Sequence, residues 1–328
     1  MSVAPGFSDE LSADMREALL RAERALGPQS DPTLLTPTEG RAQSERANER
    51  NNVDLPPLAG ATEVVIAADA ELGSSACHLR VLVPHGAGAG AVMFVHGGGF
   101  AFCSPETHER CARVLANETR MPVLVPDYRL APEHPFPAGL HDVIACLRAA
   151  FTATSPAGVS AGPLIISGDS AGANLALAAI MHEQKAGRSL PSGALLFYGT
   201  FDADFNTESY RHFADGPGLT LGKMQRYWDW YCADHQARRN PLAAPLQADD
   251  DALRALPPLY LMAAGVDPLL SDTLRLADRL KAVGRDDPLS VMPGVTHGFL
   301  QNTNELAAAR EALKSAGEAA RGMIGGNR

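Results

Sequence analysis

Glycine stands two residues before and two residues after Ser170, within a run (164–175) that reads LIISGDSAGANL. In a G-x-S-x-G setting a sharp strand-to-helix turn pushes the serine hydroxyl out of the backbone, and side chains at Gly168 and Gly172 would collide with that turn. A hydroxyl alone is a weak nucleophile. It needs a histidine to take its proton, an acid to orient the histidine, and N–H donors for the charge that develops on an attacked carbonyl oxygen. The chemistry this implies is acyl transfer through a covalent intermediate, and the rest of the chain must supply the partners.

In this architecture the acid and then the histidine follow the nucleophile. Of ten histidines, only His182, His212, His235 and His297 come after Ser170. His182 falls on the helix leaving the turn, and His212 and His235 fall in an irregular stretch. His297 stands in PGVTHGF, past the last apolar strand run, where a loop can reach the serine. For the acid, Asp267 lies just beyond the strand LYLMAAG, with Pro268 stiffening its neighbourhood, whereas Ser271 and Asp272 read as caps of the next helix. The oxyanion donors are expected from the N–H of Ala171 and from the glycines of HGGGF (96–100). Three glycines directly after a buried strand are costly in conformational entropy, which a close backbone approach would explain.

The elements that must hold these groups follow from periodicity. Short β-branched or apolar runs at 63–68, 77–84, 91–95, 122–126, 164–166, 193–198, 259–264 and 289–292 read as strands. Helical patterns fall between them at 104–119, 138–150, from Ala171 onward, at 272–283 and from about Glu305. Alternation of this kind gives a mostly parallel eight-stranded sheet with helices on both faces and active groups at the strand C-termini. The glycine-rich run HGAGAG (85–90) lacks the helix a dinucleotide loop requires and reads as a surface hairpin loop. Two stretches do not fit the alternation. Residues 1–57 hold a helix capped by Ser8, with Leu11, Met15, Leu19, Ala22 and Leu26 on one side, then a charged, proline-flanked segment with a short helix at 38–50. Residues 200–251 form a helical insertion carrying Trp228 and Trp230. The domains expected are therefore a core at 58–199 and 252–328, with 1–57 and 200–251 combining as a cap. The two tryptophans read as docking this insertion on the core, with walls of an acyl pocket as the sharper alternative.

Composition narrows the class. A formal charge of −10 with no basic cluster argues against nucleic acid as a partner. No apolar run approaches the roughly 18 residues of a membrane span, and residues 1–20 lack the pattern of a signal peptide, so a cytoplasmic protein is expected. The five widely spaced cysteines read as free thiols, and neither a metal nor an organic cofactor has a candidate cluster.

Taken in order, HGGGF, the loop DYRLAPEHPFPA (127–138), GDSAGAN, the acid in DPLLSD and the base in THGF resemble the bacterial hormone-sensitive-lipase-like carboxylesterases of the α/β-hydrolase fold. The resemblance spans roughly 81–300 and implies Ser170 as nucleophile, Asp267 and His297 as its partners, and Gly98, Gly99 and Ala171 as oxyanion donors. It also implies a helical cap, a small-molecule ester substrate and a possible homodimer. Ser271-Asp272-Thr273 departs from the acidic pair usual in the family. The expected activity is hydrolysis of short-chain acyl esters. An amidase or deacetylase on the same machinery is the enzymatic alternative. A non-catalytic ligand-binding protein, as in the gibberellin receptors that resemble the family, is the remote one; those receptors lack the histidine that His297 supplies here.

Overall fold

A computed structural model of the chain describes residues 9–152 and 161–325. Its centre is one eight-stranded sheet of β1 (Gly60–Ile66), β2 (Cys77–Val83), β3 (Ala91–Val95), β4 (Val123–Asp127), β5 (Leu164–Asp169), β6 (Gly193–Phe197), β7 (Leu259–Val266) and β8 (Leu289–Thr296). The spatial order is β1-β2-β4-β3-β5-β6-β7-β8, antiparallel at β1/β2 and β2/β4 and parallel from there on. The helices are α1 (Ala13–Leu26), α2 (Pro37–Glu49), α3 (Glu109–Thr119), α4 (Ala138–Thr152), α5 (Ala171–Lys185), α6 (Glu208–His212), α7 (Leu221–Tyr231), α8 (Asp250–Arg254), α9 (Leu270–Ala282) and α10 (Ala307–Gly325). Because β4 lies between β2 and β3, the HGAGAG run is a crossover connection and not the expected hairpin. The sequence neighbours do not pair, since β3 is buried along its length and pairs in parallel with β4 and β5.

Alternation along the strands divides the interior. Met93, Val95 and Ile166 face one apolar cluster with Val143 of α4, Ala176 of α5 and Leu276 of α9. Val92, Phe94 and Ile165 face the other, with Leu115 of α3, Leu313 of α10 and Met15 of α1. Each fully buried Leu or Phe contributes about 1.5–3 kcal/mol. Stability thus resides in the strand centres and facing helices, which leaves the loops at the strand C-termini free to hold strained, functional backbone.

The helix expected to start at Ser8 begins instead after Ser12, whose Oγ accepts the N–H of Met15 at 3.2 Å; Ser8 itself lies outside the described residues. The Ser12 N–H donates to Gly294 O at 2.9 Å, tying α1 to β8. Helix α2 opens with a capping box of Thr36 and Glu39, and its Arg41 reaches the core, donating to Ala101 O and Ala131 O at 2.9 Å each. Helix α3 starts at Glu109, later than expected, because residues 104–108 are spent on a turn closed by reciprocal Ser104 and Thr107 bonds. Four hydrogen bonds fasten the insertion. The Nδ2 of Asn174 on α5 donates to Thr200 O at 2.8 Å and Ala243 O at 2.9 Å, and Arg226 on α7 bonds Asp31 and Thr33 of the N-terminal segment.

The tryptophans dock the insertion on the core and do not line the cavity over Ser170. Trp228 is fully buried against Phe100 and Tyr231, and Trp230 packs on Phe102. At helical spacing the residues left facing the cavity over Ser170 are Met224 and Tyr227. Three charged residues of this stretch, Asp202, Lys223 and Arg238, are also buried.

Candidate active site

Strand β5 ends at Asp169 and α5 begins at Ala171, so Ser170 alone makes the turn, at φ 54° and ψ −120°. A non-glycine residue at positive φ is strained, and the structure over-determines it. The Ser170 N–H donates to Phe197 O at 2.9 Å, and the Ser170 carbonyl accepts from Ala173 at 3.1 Å and from Thr200 at 3.3 Å. Gly172 makes the turn possible, since a Cβ there would stand 2.0 Å from Val95 O.

Ser170 Oγ lies 2.9 Å from His297 Nε2, and His297 Nδ1 lies 2.7 Å from Asp267 Oδ2. Asp267 is fully buried, and its other oxygen accepts the Leu269 N–H at 2.9 Å, so one oxygen is committed to its own loop and the other to the imidazole. That commitment makes Nδ1 the protonated nitrogen and leaves Nε2 as an acceptor facing the hydroxyl. The ring of Tyr198 meets His297 edge-on at 4.9 Å and holds its plane. All three residues expected to cooperate are therefore brought together.

The glycine loop lies beside them. Gly98 and Gly99 sit at φ 119° and 61°, and both line the same cavity as Ser170 and His297. A Cβ on Gly99 would stand 2.4 Å from the ring of Tyr227, so only glycine lets α7 close over this loop. His96 does not take part directly. It is fully buried, with a pKa that burial lowers to about 3, and it stacks on Tyr128 at 4.4 Å. Its neutral ring donates through Nδ1 to Gly97 O at 2.8 Å.

Asp169 was not singled out from the sequence, yet it ties the nucleophile turn to the glycine loop. Its Oδ1 accepts the Gly97 N–H at 2.8 Å and lies 3.3 Å from His108 Nε2, while Tyr198 donates to Oδ2 at 3.4 Å. Burial pushes this carboxyl up, but His108, the Gly97 N–H and His297 together hold it below the ordinary carboxylate range. The signal was present in the sequence: a carboxylate closing an apolar strand has to be buried, and a buried carboxylate needs partners.

Asp272 is not a helix cap. Helix α9 has Leu269 at its cap position with no side-chain bond, and Asp272 is buried in its first turn. Its Oδ2 accepts the N–H of Phe201 at 2.8 Å and of Asp202 at 3.1 Å, so it anchors the start of the insertion. Burial raises its pKa to about 8 despite those two donors. Ser271 accepts the Ser209 N–H at 3.2 Å, and the Ser209 hydroxyl donates to Pro268 O at 2.6 Å, which braces the segment carrying Asp267.

The cavity over Ser170 measures about 320 Å³. Ala22 and Leu26 from α1 and Leu219, Met224 and Tyr227 from the insertion form its apolar side; Asn48, Arg50, Asn51, Gln301 and Asn302 form its polar side. Cys103 also faces it, while the other four cysteines are buried, and all five are free. Among the described residues no group of three or more His, Cys, Asp or Glu is placed to hold a metal ion.

A strained serine at a strand-to-helix turn, engaged by a histidine and a buried aspartate on later loops of a mostly parallel sheet, defines the class of α/β hydrolases. Comparison with known proteins agrees: the α/β-hydrolase-fold family model matches residues 92–301. Carboxylesterase NlhH of Mycobacterium tuberculosis is 34% identical over 226 residues, covering 67% of this chain and 70% of that protein. Ester-hydrolase EH1AB1 from the Lake Arreo metagenome, solved with a bipyridine phosphonate derivative, superposes with a TM-score of 0.88 at 31% identity over 96% of this chain and 99% of its own. A thermostable esterase from Pseudomonas putida ECU1011 gives 0.89 at 28% identity, over 97% and 98% of the two chains. The chain belongs to the α/β-hydrolase family, in its hormone-sensitive-lipase-like esterase branch.

Proposed function

We propose that this protein is a serine carboxylesterase that hydrolyses esters of short acyl chains, a reading carried above all by the unbroken relay from Ser170 through His297 to Asp267. Ser170 Oγ attacks the ester carbonyl as His297 Nε2 takes its proton, and Asp267 stabilises the imidazolium that forms. The N–H groups of Gly98, Gly99 and Ala171 receive the oxyanion. Collapse expels the alcohol, which leaves with the proton from His297. A water activated by the same nitrogen then hydrolyses the acyl-enzyme and restores Ser170. The relatives named esterase or carboxylesterase favour the ester over the amide. The complete relay weighs against a binding-only role.

Residues 1–57 and 200–251 act as the cap of this site in the same reading, which the Arg226 contacts with Asp31 and Thr33 support. No helix among the described residues is long and apolar enough to cross a membrane, and the free thiols fit a reducing cytoplasm. A homodimer belongs to this reading too, supported by the exposed Leu289 and Val291 on edge strand β8, and a solution mass of two chains by sedimentation is its expected signature.

The experiment for acyl length is a p-nitrophenyl ester series. Each buried methylene adds about 0.8 kcal/mol of binding, so an open groove favours long chains steeply. A cavity narrowed by Leu26, Leu219, Met224 and Tyr227 reverses the trend after a few carbons. The kcat/KM is expected to peak between acetate and hexanoate, with no rise as substrate passes its solubility limit. A peak at dodecanoate, or a jump at the emulsion boundary, overturns the short-chain reading.

A further inference from the structure

A second cavity, of about 440 Å³, adjoins the one over Ser170 along α1 and lies farther from that serine, which does not line it. It is lined by α1 and the residues after it, and by part of the insertion between 215 and 223. Ala22 and Leu26 line both cavities. The insertion also serves both from adjoining residues: Gly218, Thr220 and Lys223 face the far cavity, and Leu219 and Met224 face the catalytic one. The partition is therefore a layer of side chains. Leu26, the last residue of α1, is its largest member on the helix side.

We propose that the far cavity is a chain-extension subsite of the catalytic pocket for the distal end of an uncharged acyl or alkoxy chain, with Leu26 setting how far a chain reaches. This rests on the esterase reading above. The stem of such a chain would pass along Ala22 and Leu26. An anionic tip fits the lining poorly, because Glu23, Asp31 and Asp215 bring three carboxylates against the single ammonium of Lys223. That ammonium already donates to Gly218 O at 2.8 Å, while Asp31 is shared with Arg226 and Thr33. Leu26 is therefore a specificity residue, and it takes no part in the bond-breaking steps.

The test compares esters that differ only in length, in the parent, Leu26→Ala and the more conservative filling variant Ala22→Leu. One arm lengthens the acyl chain of p-nitrophenyl esters, and the other lengthens the alcohol of acetate esters, so the arms show which side of the ester uses the subsite. Each methylene that enters an apolar site is worth about a fourfold gain in kcat/KM. Leu26→Ala is expected to raise the octanoate-to-butyrate ratio, or the matching alcohol ratio, at least tenfold, and Ala22→Leu to lower it. In Leu26→Ala a carboxylate-tipped eight-carbon acyl ester is expected to turn over at least tenfold more slowly than octanoate. A change that scales every ester by one factor overturns the subsite, since a structural role or an access route acts on all lengths alike. So does an unmoved ratio in both arms. Absence of ester turnover in the parent overturns the esterase reading itself, a result distinct from parent turnover with an unmoved ratio.

Discussion

Ser170→Ala is expected to lower kcat for a p-nitrophenyl ester by about 10⁶-fold while the protein melts within a few degrees of the parent. Among the described residues the hydroxyl has one side-chain hydrogen bond, to His297 at 2.9 Å, so its loss leaves the strand, the turn and α5 in place. The strain at Ser170 persists, because alanine keeps the Cβ that disfavours a φ of 54°. Turnover and thermal melting are measured on the same preparation. Retained turnover removes Ser170 from the reaction.

Asp267→Asn is expected to cost about 10⁴-fold in kcat, because the amide cannot hold the imidazole in the tautomer that leaves Nε2 free to accept. Its companion, Asp272→Asn, separates two buried aspartates five residues apart in sequence. Asparagine at 272 still offers an oxygen to the Phe201 and Asp202 N–H groups, so turnover is expected to stay within a few-fold of the parent. The effect of that change lies in stability against pH. The folded protein keeps the Asp272 proton up to about pH 8, whereas the ordinary value for the exposed group is 3.8. Between those limits the folded state binds more protons than the unfolded one. The stability from this group is complete below about pH 4 and is lost as pH rises toward 8. Asparagine has no proton to release there, so its melting temperature should fall less across that range than the parent's. If Asp272→Asn abolishes turnover, the two carboxylates have been assigned the wrong way round; if both proteins lose stability in parallel, Asp272 is ionised in the folded state.

The contrast between these two aspartates shows what a linear sequence can carry. Ser170, His297 and Asp267 were legible because the reaction admits few residue types and the fold admits few places for them, namely loops beyond parallel strands. Asp272 was misread because an acid in the first turn of a helix looks the same whether it faces its own N–H groups or those of another loop. Only the packing of α9 against 201–202 decides which. Asp169 was passed over within a motif that was otherwise recognised, since its partners Gly97 and His108 come from a different strand-to-helix connection. The eight strands could be read from their apolar runs, but not that β4 would insert between β2 and β3. The α1 stripe was also readable, yet one stripe serves two purposes: Met15 and Ala18 pack in the core, whereas Ala22 and Leu26 face the cavities.

Asn174 closes a ring. Its amide grips Thr200 O where the chain leaves the sheet and Ala243 O shortly before it returns, so a single side chain on the nucleophile helix holds both ends of the insertion. The forty-odd residues between are, in topological terms, a pendant loop on a fixed collar. Inside the collar the segment touches the core at chosen points, Trp228 on Phe100 and Tyr227 over Gly99, while Leu219 and Met224 face the cavity. Exchanging Leu219 or Met224 would thus reshape what the pocket admits while the collar and the buried Trp228 stay in place.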